Sequence, residues 1–558
     1  MQYKFIRSIF IIGIAASMLT ISCAKKIDDA YLNPNAAVVE PIENILPGVI
    51  GSFTFFFSSA GTGYGVQADG VLLGRYIQYW GSQTNAENYG MMGGTGSSDN
   101  TGSMWAAVYY GHGQNVNKII QWGTEQEKWD YVGAAWAIRA WGWLELTNQY
   151  GDAILKEAFN TNLQQFHYDT QPEFYDSCRA VCIRSLSFLN RTDGNVSQKN
   201  LAIGDAFFNK GDVNKWRKFV YGILARSYID ISAKDIFKAN NYAYADSAIK
   251  YANLAMTTNA DNALVYVAGG LTSQVNNYFG PFRGLIGTIR QSAYIANLMS
   301  GLNSGAFTGV NDPRAWYMLR ENRSGNFKGF TPWLGSSGLT TDDYPQNYWG
   351  YTNSAAGIYT PFSTTAPTTD TSRYIYQNTS PWPLMTASEM QFIIAEAALR
   401  KGDNSTALAA YTKGISLNFD MLRFTYPEHI PAANKITDQT ISAYLANLAI
   451  VPATGLTLTH VMLQKYIALY GWGTHQTWTD MRKFHYSKDF DPATGKPVYA
   501  DFTLPSGIYL VSTNNGNPVY RCRPRYNSEY LYNVPELTRI GAIKLDYITL
   551  ECWFSQPK

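Results

Sequence analysis

The amino-acid sequence predicts a mostly α fold. Apolar residues recur at helical spacing in several long segments, these segments carry helix start and stop signals, and two of them follow each other closely enough to form an antiparallel pair. Of the 558 residues, 46% are hydrophobic and 15% are charged. This composition argues against disorder and predicts a surface covered mainly by neutral polar side chains.

A long helical pattern lies in residues 125–152. Trp129, Trp136 and Trp143 recur every seven positions, and Gly151 supplies a stop because glycine readily adopts the left-handed conformation. We expect one face of this helix to be buried. Further helices are expected at 172–190, 213–232, 243–258 and 456–484.

A helix pair is predicted most clearly in residues 385–418. Thr386 and Glu389 stand as S/T-x-x-E, which predicts a capping box in which each side chain bonds the backbone amide of the other residue. Gly402 ends the first helix, and Asp403 can cap the second. Two antiparallel helices in about 34 residues form a tetratricopeptide-like hairpin.

Two long segments have a different composition. Residues 262–384 and 486–535 are rich in Gly, Pro, Ser, Thr, Asn and Tyr and show little helical period. Both exceed the length of ordinary connections, and such insertions on a rigid scaffold usually carry function. We therefore expect a single domain over residues 46–558, with its helical scaffold mainly in 105–260 and 385–485.

The first 23 residues resemble a lipoprotein signal. Two basic residues precede a short apolar run, which cannot cross a membrane and is typical of a signal peptide. Leu19 and Ser22 stand four and one positions before Cys23, as in a bacterial lipobox. The sequence therefore predicts removal of residues 1–22, lipidation of Cys23, and a tether over 23–45.

The alternative to a lipobox is an ordinary secretory signal with a cysteine by chance. The polar residues after Cys23 include Asp28 and Asp29, which are similar to an acidic tag that sends lipoproteins to the cell surface. We expect a protein of the outer membrane that is anchored by lipid and faces outward.

Charge and cysteine content bear on function. Removing residues 1–22 takes the formal net charge from +2 to zero, because it removes two basic residues and no acids. A neutral chain does not attract nucleic acid or anionic lipid. Cys178 and Cys182, at i and i+4, are interpreted as buried small residues, whereas for Cys522 and Cys552 the sequence leaves open whether a disulfide forms.

No pattern of residues predicts catalysis, a cofactor or a metal. The six histidines show no metal spacing on one helix, and the sequence has neither a G-x-S-x-G elbow nor a phosphate-binding loop. A glycosidase needs only two carboxyl groups at a suitable distance, and the sequence leaves that arrangement open. The neighbouring Asp342 and Asp343 make a poor pair, because adjacent residues on an extended chain point opposite ways.

Aromatic residues make up 15% of the chain. In segments 78–90 and 330–353, rings alternate with amides and hydroxyls, which suits a ligand with apolar faces and many hydroxyl groups. The predicted platforms are Trp80, Tyr89, Trp333, Tyr348 and Trp349. The predicted hydrogen-bonding partners are Asn85, Asn88 and Asn347. The alternative for each ring is that it anchors a loop on the scaffold or contacts a partner protein.

Five local patterns occur in one order along the chain. They are NPNAAVVEPIENILPGVI, RAWGWLELTNQYGD, TASEMQFIIAEAALRKGD, LQKYIALYGWGTHQTWTDMRKF and RCRPRYNSEYLYN. Together with the lipobox, this ordered set resembles the SusD/RagB family of outer-membrane nutrient-binding lipoproteins, and it spans nearly the whole mature chain. The resemblance implies a SusD-like fold of four tetratricopeptide-like helix pairs packed against a loop-rich region.

The resemblance also implies a function. It implies a non-catalytic protein that captures an oligosaccharide and passes it to a SusC-like TonB-dependent transporter, over which it sits as a hinged lid. A peptide or another nutrient as the ligand, and a purely structural interaction protein, are the alternatives. The resemblance further implies that Asp480 and Arg482 are ion partners within the scaffold.

Overall fold

Long helices dominate the computed structural model of the protein. The described residues are 40–54, 56–57, 63–64, 66–83, 101–267, 279, 289–349 and 370–558. The helices are α1 Ile42–Gly51, α2 Val66–Tyr76, α3 Ser103–Ala106, α4 Gly113–Glu125, α5 Trp129–Tyr150, α6 Gln171–Leu189, α7 Gln198–Gly204, α8 Val213–Ile229, α9 Asp235–Leu254, α10 Ala293–Met299, α11 Ala315–Met318, α12 Ala387–Lys401, α13 Asn404–Thr425, α14 Asp438–Leu445, α15 Leu458–Ala468, α16 Thr474–Lys483 and α17 Val534–Arg539. The prediction of a mostly α fold is confirmed.

Strands among the described residues are short and lie in two-stranded antiparallel sheets. They are β1 Phe56–Phe57, β2 Gly63–Tyr64, β3 Trp80–Ser82, β4 Ala263–Val265, β5 Ile289–Gln291 and β6 Trp382–Met385. In the β3–β5 pair, Trp80 lies opposite Gln291 and Ser82 opposite Ile289. This pair places the start of α10 beside the end of α2. The predicted division of the chain into domain and tether stays a prediction.

Helices α5 and α6 form an antiparallel pair. Near the start of α6, the Gln171 side chain donates to the carbonyl of Thr147 at 2.7 Å. Four residues before the end of α6, Ser185 Oγ donates to the carbonyl of Gly133, also at 2.7 Å. Later residues of α6 therefore contact earlier residues of α5, as expected of antiparallel helices. Gly133 allows this approach, since a Cβ there would lie 2.6 Å from the Leu189 side chain.

Helix α5 is buried on nearly every side, so the prediction of a single buried face is wrong. Its polar residues Asp130, Arg139 and Glu145 are buried together with its apolar ones, and only Trp136 is half-exposed. Helices α4, α6, α8 and α16 all pack against it. A helix enclosed by neighbours loses the one-sided pattern of a surface helix.

Helices α12 and α13 form the predicted hairpin. Thr386 Oγ1 accepts from the Glu389 amide at 3.2 Å, and α12 ends at Gly402, whose φ of +83° is left-handed. Ser388 Oγ donates to the carbonyl of Gly414 in α13 at 2.7 Å. The second half of the predicted capping box is absent, because the Glu389 carboxylate binds Arg226 instead.

The helix expected at 456–484 is two helices. Helix α15 ends at Ala468 and α16 begins at Thr474, and Gly471 between them has a φ of +82°, which a continuous right-handed helix does not contain. The two helices are joined by charge, since the Asp480 carboxylate of α16 lies 2.7 Å from the ammonium of Lys465 in α15. The ion-pairing expected of Asp480 is confirmed.

Arg482 has a different role from the one expected. Its guanidinium lies 3.5 Å from the centre of the Trp478 ring and donates to the carbonyl of Tyr520 at 2.8 Å. No carboxylate pairs with it among the described residues, so its assignment as an ion partner is wrong. Burial lowers the pKa of Arg482. A planar guanidinium can satisfy its donors on carbonyls while stacking on a ring.

Candidate ligand-binding site

The structure places the predicted binding residues at different depths. Trp80, Asn347, Tyr348 and Trp349 are buried, whereas Trp333 is half-exposed. The other predicted residues lie outside the described part of the chain; they are Tyr89, Asn85, Asn88 and the lipidation site Cys23. The structure therefore presents one of the predicted rings, that of Trp333, at the surface.

The buried rings form a packed layer beneath the loop-rich region. Tyr348 stacks on Tyr376 with ring centres 3.9 Å apart, and its hydroxyl lies 2.6 Å from that of Tyr470. Burial raises the pKa of Tyr348, so it stays a neutral phenol. Trp80 Nε1 donates to the Tyr376 hydroxyl at 3.0 Å. These rings face one another rather than solvent, and the binding role assigned to them stays a prediction.

Arg320 anchors the backbone above this layer. Its guanidinium donates to the carbonyls of Tyr348 at 2.8 Å and Thr371 at 3.0 Å. Burial, with a further contribution from nearby Arg373, lowers the pKa of Arg320 to about 9. One cation thus holds the chain at both Tyr348 and Thr371.

Two adjoining cavities lie on either side of α10 and share Ala293, Asn297 and Leu302 as lining residues. We call them the α10 cavities. The larger has a volume of about 850 Å³ and the smaller about 430 Å³. Both fall within the range of about 300–1,000 Å³ that is typical of small-molecule sites. Together they offer room for more than one sugar ring or amino-acid residue.

Helix α10 is held at both ends. At its start, the Ser292 amide donates to the carbonyl of Tyr79, and the Ala293 amide donates to the carbonyl of Phe330. At its end, Gly301 has a φ of +71°, and a Cβ there would lie 2.4 Å from the backbone of Val310. Only glycine fits that turn. The walls of both cavities are therefore fixed relative to the core.

Asn297 is the residue common to both cavities that has a free amide. It is exposed on α10, between the buried Ala296 and Leu298, and its side chain makes no hydrogen bond within the described residues. An amide supplies two donors and an acceptor to a ligand. Its one weak sequence signal is that it is an amide in the otherwise apolar segment AYIANLM.

The larger cavity has an aromatic wall and a polar rim. Trp316 and Phe327 meet edge to face with ring centres 5.0 Å apart. Other lining residues with polar side chains include Asn311, Asn326, Asn434, Lys328 and Lys435. The carboxylate in the lining, Asp312, is already bound to Arg314 at 2.6 Å. Sequence reasoning missed this wall, because Trp316 lies outside the segments in which rings and amides alternate.

Arg314 fixes the start of α11, the helix that carries Trp316. Its guanidinium is fully buried and donates to Gln464 Oε1 at 2.6 Å and to Asn418 Oδ1 at 2.8 Å. Burial alone would lower the pKa of Arg314. Asp312 and Tyr444 together outweigh burial, so the pKa is raised. The charged Arg314 side chain therefore connects the wall of the cavity to helices α13 and α15.

The smaller cavity contains the predicted platform Trp333. Around it lie Gln78, Thr331, Asn303 and Asp501. Asp501 accepts hydrogen bonds from the amide of Ser304 at 2.5 Å and from its hydroxyl at 2.6 Å. The amides beside Trp333 in this cavity, Gln78 and Asn303, are not the predicted partners, and the binding role of Trp333 stays a prediction.

The chemistry of the α10 cavities is that of binding. Rings offer flat apolar faces, and amides and hydroxyls offer hydrogen bonds to a neutral polar ligand. The carboxylates Asp312 and Asp501 are each engaged by a neighbouring residue of the protein. Within the described part of the chain, no group of three or more His, Cys, Asp or Glu residues is placed to hold a metal ion.

The structure combines a helical scaffold with concave cavities, and comparison with known families shows where it belongs. Residues 65–497 match the family model SusD-like_2, described as starch-binding and associating with the outer membrane. The match covers most of the chain, so the protein belongs to this SusD-like family. No curated protein matches the sequence. No helix of the described residues is both long and apolar enough to cross a membrane.

Solved structures show the same fold at low sequence identity. A SusD/RagB family protein from Bacteroides thetaiotaomicron is 20% identical, with a TM-score of 0.67 over 94% of this chain and 100% of its own. A chitin-binding protein is 19% identical, with a TM-score of 0.62 over 92% and 100%. A SusD homolog from Bacteroides fragilis is 18% identical, with a TM-score of 0.61 over 92% and 100%.

Proposed function

We propose that this protein is a surface-exposed, lipid-anchored receptor that binds an oligosaccharide in the α10 cavities and passes it to a SusC-like TonB-dependent transporter. The observation that carries the proposal is the position of Asn297, an exposed amide shared by two cavities that each contain a tryptophan. Sugar rings present C–H faces to aromatic rings and hydroxyls to amides.

Family membership supports a glycan as the ligand. The family is described as starch-binding, and one protein of the same fold is a chitin-binding protein. The near-neutral mature chain gives no reason to expect a charged ligand. Because the carboxylates of the cavities are engaged by the protein itself, we propose binding without catalysis, as is usual for this family.

Calorimetric titration tests the ligand class. The chain lacking residues 1–23 is titrated with maltooligosaccharides, with chitooligosaccharides and with a peptide digest. Asn297→Ala and Trp333→Ala are each expected to weaken glycan binding about tenfold, the equivalent of ~1.4 kcal/mol. The matched controls are Asn253→Ala, an exposed asparagine on α9, and Trp122→Ala, a half-buried tryptophan on α4. If only peptides bind, the ligand is a peptide and not a sugar. If both variants bind the ligand as the wild type does, the α10 cavities are not the binding site.

Co-purification tests the partner. An affinity tag at the carboxyl terminus of the lipidated protein, extracted in mild detergent, is expected to retain a TonB-dependent barrel. The same tag on Cys23→Ser is expected to retain less of it, since loss of the anchor lowers the local concentration at the membrane. Recovery of the lipidated protein alone, at every detergent concentration, would contradict the partnership.

A further inference from the structure

A third cavity, far from α10 in sequence, has the same kind of surface. It has a volume of about 930 Å³, and its lining residues come from three segments, represented by Tyr110, by 162–166 and by 528–533. We call it the tyrosine cavity. It shares no lining residue with the α10 cavities.

Two aromatic rings that line this cavity are exposed to solvent. Tyr110 is 59% exposed and Tyr532 is 67% exposed. Such exposure is unusual for an aromatic side chain, which normally lies at least half-buried. Leu531 beside them is 52% exposed. Exposed rings at the mouth of a concave surface indicate a site that a ligand covers.

Three amide side chains in the lining are not used by the protein. The side chains of Asn162, Gln164 and Gln165 are exposed and make no hydrogen bond within the described residues. Ser528 Oγ is buried beside the Glu529 carboxylate. The three exposed amides can therefore offer donors and acceptors to a ligand.

The floor of the cavity is rigid. Glu529 is buried, and its Oε2 accepts from the Tyr168 hydroxyl at 2.6 Å and from the Asn533 amide at 3.0 Å. Asn533 also brackets the backbone of Phe166, accepting from its amide at 3.1 Å and donating to its carbonyl at 2.9 Å. Asn533 thus joins two of the three lining segments.

Each side of the cavity carries a π-helical turn, Ala107–Gly111 on one side and Tyr526–Tyr530 on the other. Turns of this kind are rare and are found frequently at functional sites. Arg525, the residue just before the second turn, has its guanidinium 5.5 Å from the centre of the Tyr110 ring in the first. Tyr110 and Ser528 are therefore presented to the cavity by unusual backbone on both sides.

We infer that the tyrosine cavity is a second glycan-binding site, which holds a further part of a polysaccharide whose other part lies in the α10 cavities. The inference rests on the proposed function for the class of ligand. The only charged residue among the described lining residues is Glu529, which is buried, so a neutral hydroxyl-rich chain fits better than a charged protein surface. Two linked sites raise the affinity for a long chain above that of either site.

Native gel electrophoresis with soluble starch or glycol chitin cast in the gel tests the inference. Four proteins lacking residues 1–23 are compared: the wild type, the α10 variant (Asn297→Ala with Trp333→Ala), the tyrosine variant (Tyr110→Ala with Tyr532→Ala), and the combination. The matched control is Phe424→Ala, which removes an aromatic ring that is 72% exposed elsewhere. Because all the tyrosine-cavity changes are at exposed positions, we expect the variants to fold.

The expected result is that the α10 variant keeps weak retardation by the polysaccharide, and that the combination loses it. The tyrosine variant should bind the polysaccharide about tenfold more weakly than the wild type while its affinity for short oligosaccharides is unchanged. The second site would be overturned if the polysaccharide did not retard the α10 variant at all. It would also be overturned if the polysaccharide retarded the combined variant as much as the α10 variant. In both cases the proposed function would stand.

Two other outcomes separate the proposals. Retardation that survives in the α10 variant at wild-type strength but is lost in the tyrosine variant would overturn the α10 cavities and support the tyrosine cavity. Wild-type protein that no polysaccharide retards would overturn both. A tyrosine variant that binds polysaccharide normally but no longer co-purifies with a membrane barrel would overturn the second site and assign the cavity to a protein contact.

Discussion

Arg226 and Glu389 form a double hydrogen bond between α8 and the first turn of α12, with Nε–Oε1 at 2.7 Å and Nη2–Oε2 at 2.9 Å. Both side chains are buried. Arg226 also lies 3.0 Å from Glu145 of α5. Burial raises the pKa of Glu145 to about 7 although Arg226 opposes the shift. One guanidinium thus joins three helices of the scaffold.

Removing Arg226 is expected to destabilise the scaffold strongly. Arg226→Met leaves the carboxylate of Glu389 buried without a partner, and we expect the free energy of unfolding to fall by about 3–5 kcal/mol. Chemical denaturation followed by tryptophan fluorescence measures the change. The matched control is Arg423→Met, which breaks a 2.6 Å pair with the exposed Asp438 and is expected to cost less than about 1 kcal/mol. Equal losses in the two variants would contradict the role assigned to Arg226, and Glu389→Gln gives a milder test if Arg226→Met does not fold.

The same contact shows where sequence reasoning succeeds and fails. The S/T-x-x-E pattern at Thr386 correctly places the start of α12, because the Thr386 hydroxyl needs only its own local amides. The pattern says nothing about a guanidinium 163 residues away, and that distant partner takes the Glu389 carboxylate. Local signals therefore predict helix ends, whereas side-chain partners depend on packing.

The candidate site shows the same division. Ring-and-amide composition identifies Trp333, but it identifies Tyr348 and Trp349 equally, and the structure buries these two. Composition cannot tell an aromatic residue that packs from one that faces solvent, since both kinds occur in loops. Asn297 carries almost no sequence signal, because its exposure depends on how α10 lies over the core.

The two kinds of tryptophan are expected to respond differently to substitution. Trp80→Phe removes the hydrogen bond to Tyr376 and part of a buried ring, so the free energy of unfolding should fall by about 1–3 kcal/mol. Glycan affinity of the folded protein should then change less than about twofold, which is under ~0.4 kcal/mol. Trp333→Ala should show the reverse, a large loss of affinity with a small change in stability. Paired denaturation and calorimetry measure both quantities, and a binding defect in Trp80→Phe at unchanged stability would restore Trp80 as a contact residue.

The cysteines are expected to be unreactive in the folded protein. Cys178, Cys182, Cys522 and Cys552 are buried free thiols in the structure, and burial raises the pKa of Cys182 and of Cys522. A thiol with a raised pKa supplies little thiolate. A chain lacking residues 1–23, purified without reductant, should show no thiol reactive toward a disulfide reagent until it is unfolded, and four afterwards. Two reactive thiols in the unfolded chain would instead indicate a disulfide, with Cys522 and Cys552 as the first pair to examine by peptide mapping.

The lipid anchor is expected to depend on Cys23. Cys23→Ser removes the thiol that a lipobox presents for alkylation, so the protein should leave the membrane fraction and gain no acyl mass. Fractionation and intact mass spectrometry measure the two effects. Ser22→Ala keeps a small residue before the cysteine and serves as the control, which should stay lipidated. Unmodified Cys23 in the wild-type protein would contradict the anchor.

His485 is expected to make stability depend on pH in the alkaline range. Its Nδ1 lies 2.9 Å from the carboxylate of Asp489 and its Nε2 lies 2.8 Å from that of Glu551. Hydrogen bonds to Asp489 and then to Glu551 raise the pKa of His485 to about 9, against about 6.5 in an unfolded chain. Because the folded pKa is the higher one, the stabilisation is fully present below about pH 6.5 and is lost as the pH rises through 9.

The variant His485→Gln isolates this contribution. The difference in unfolding free energy between wild type and His485→Gln should be about 1–2 kcal/mol larger at pH 6 than at pH 10, less than the whole shift implies because the ring is partly open to solvent. Urea denaturation at several pH values measures the difference, and carboxylates elsewhere cancel because both proteins contain them. His429→Gln, at an exposed histidine outside the ion pairs of the described residues, is the matched control. A difference that stays constant from pH 6 to pH 10 would show that folding leaves the pKa of His485 unchanged, and a difference that grows with pH would show that folding lowers this pKa; either result would contradict the role of the two carboxylates.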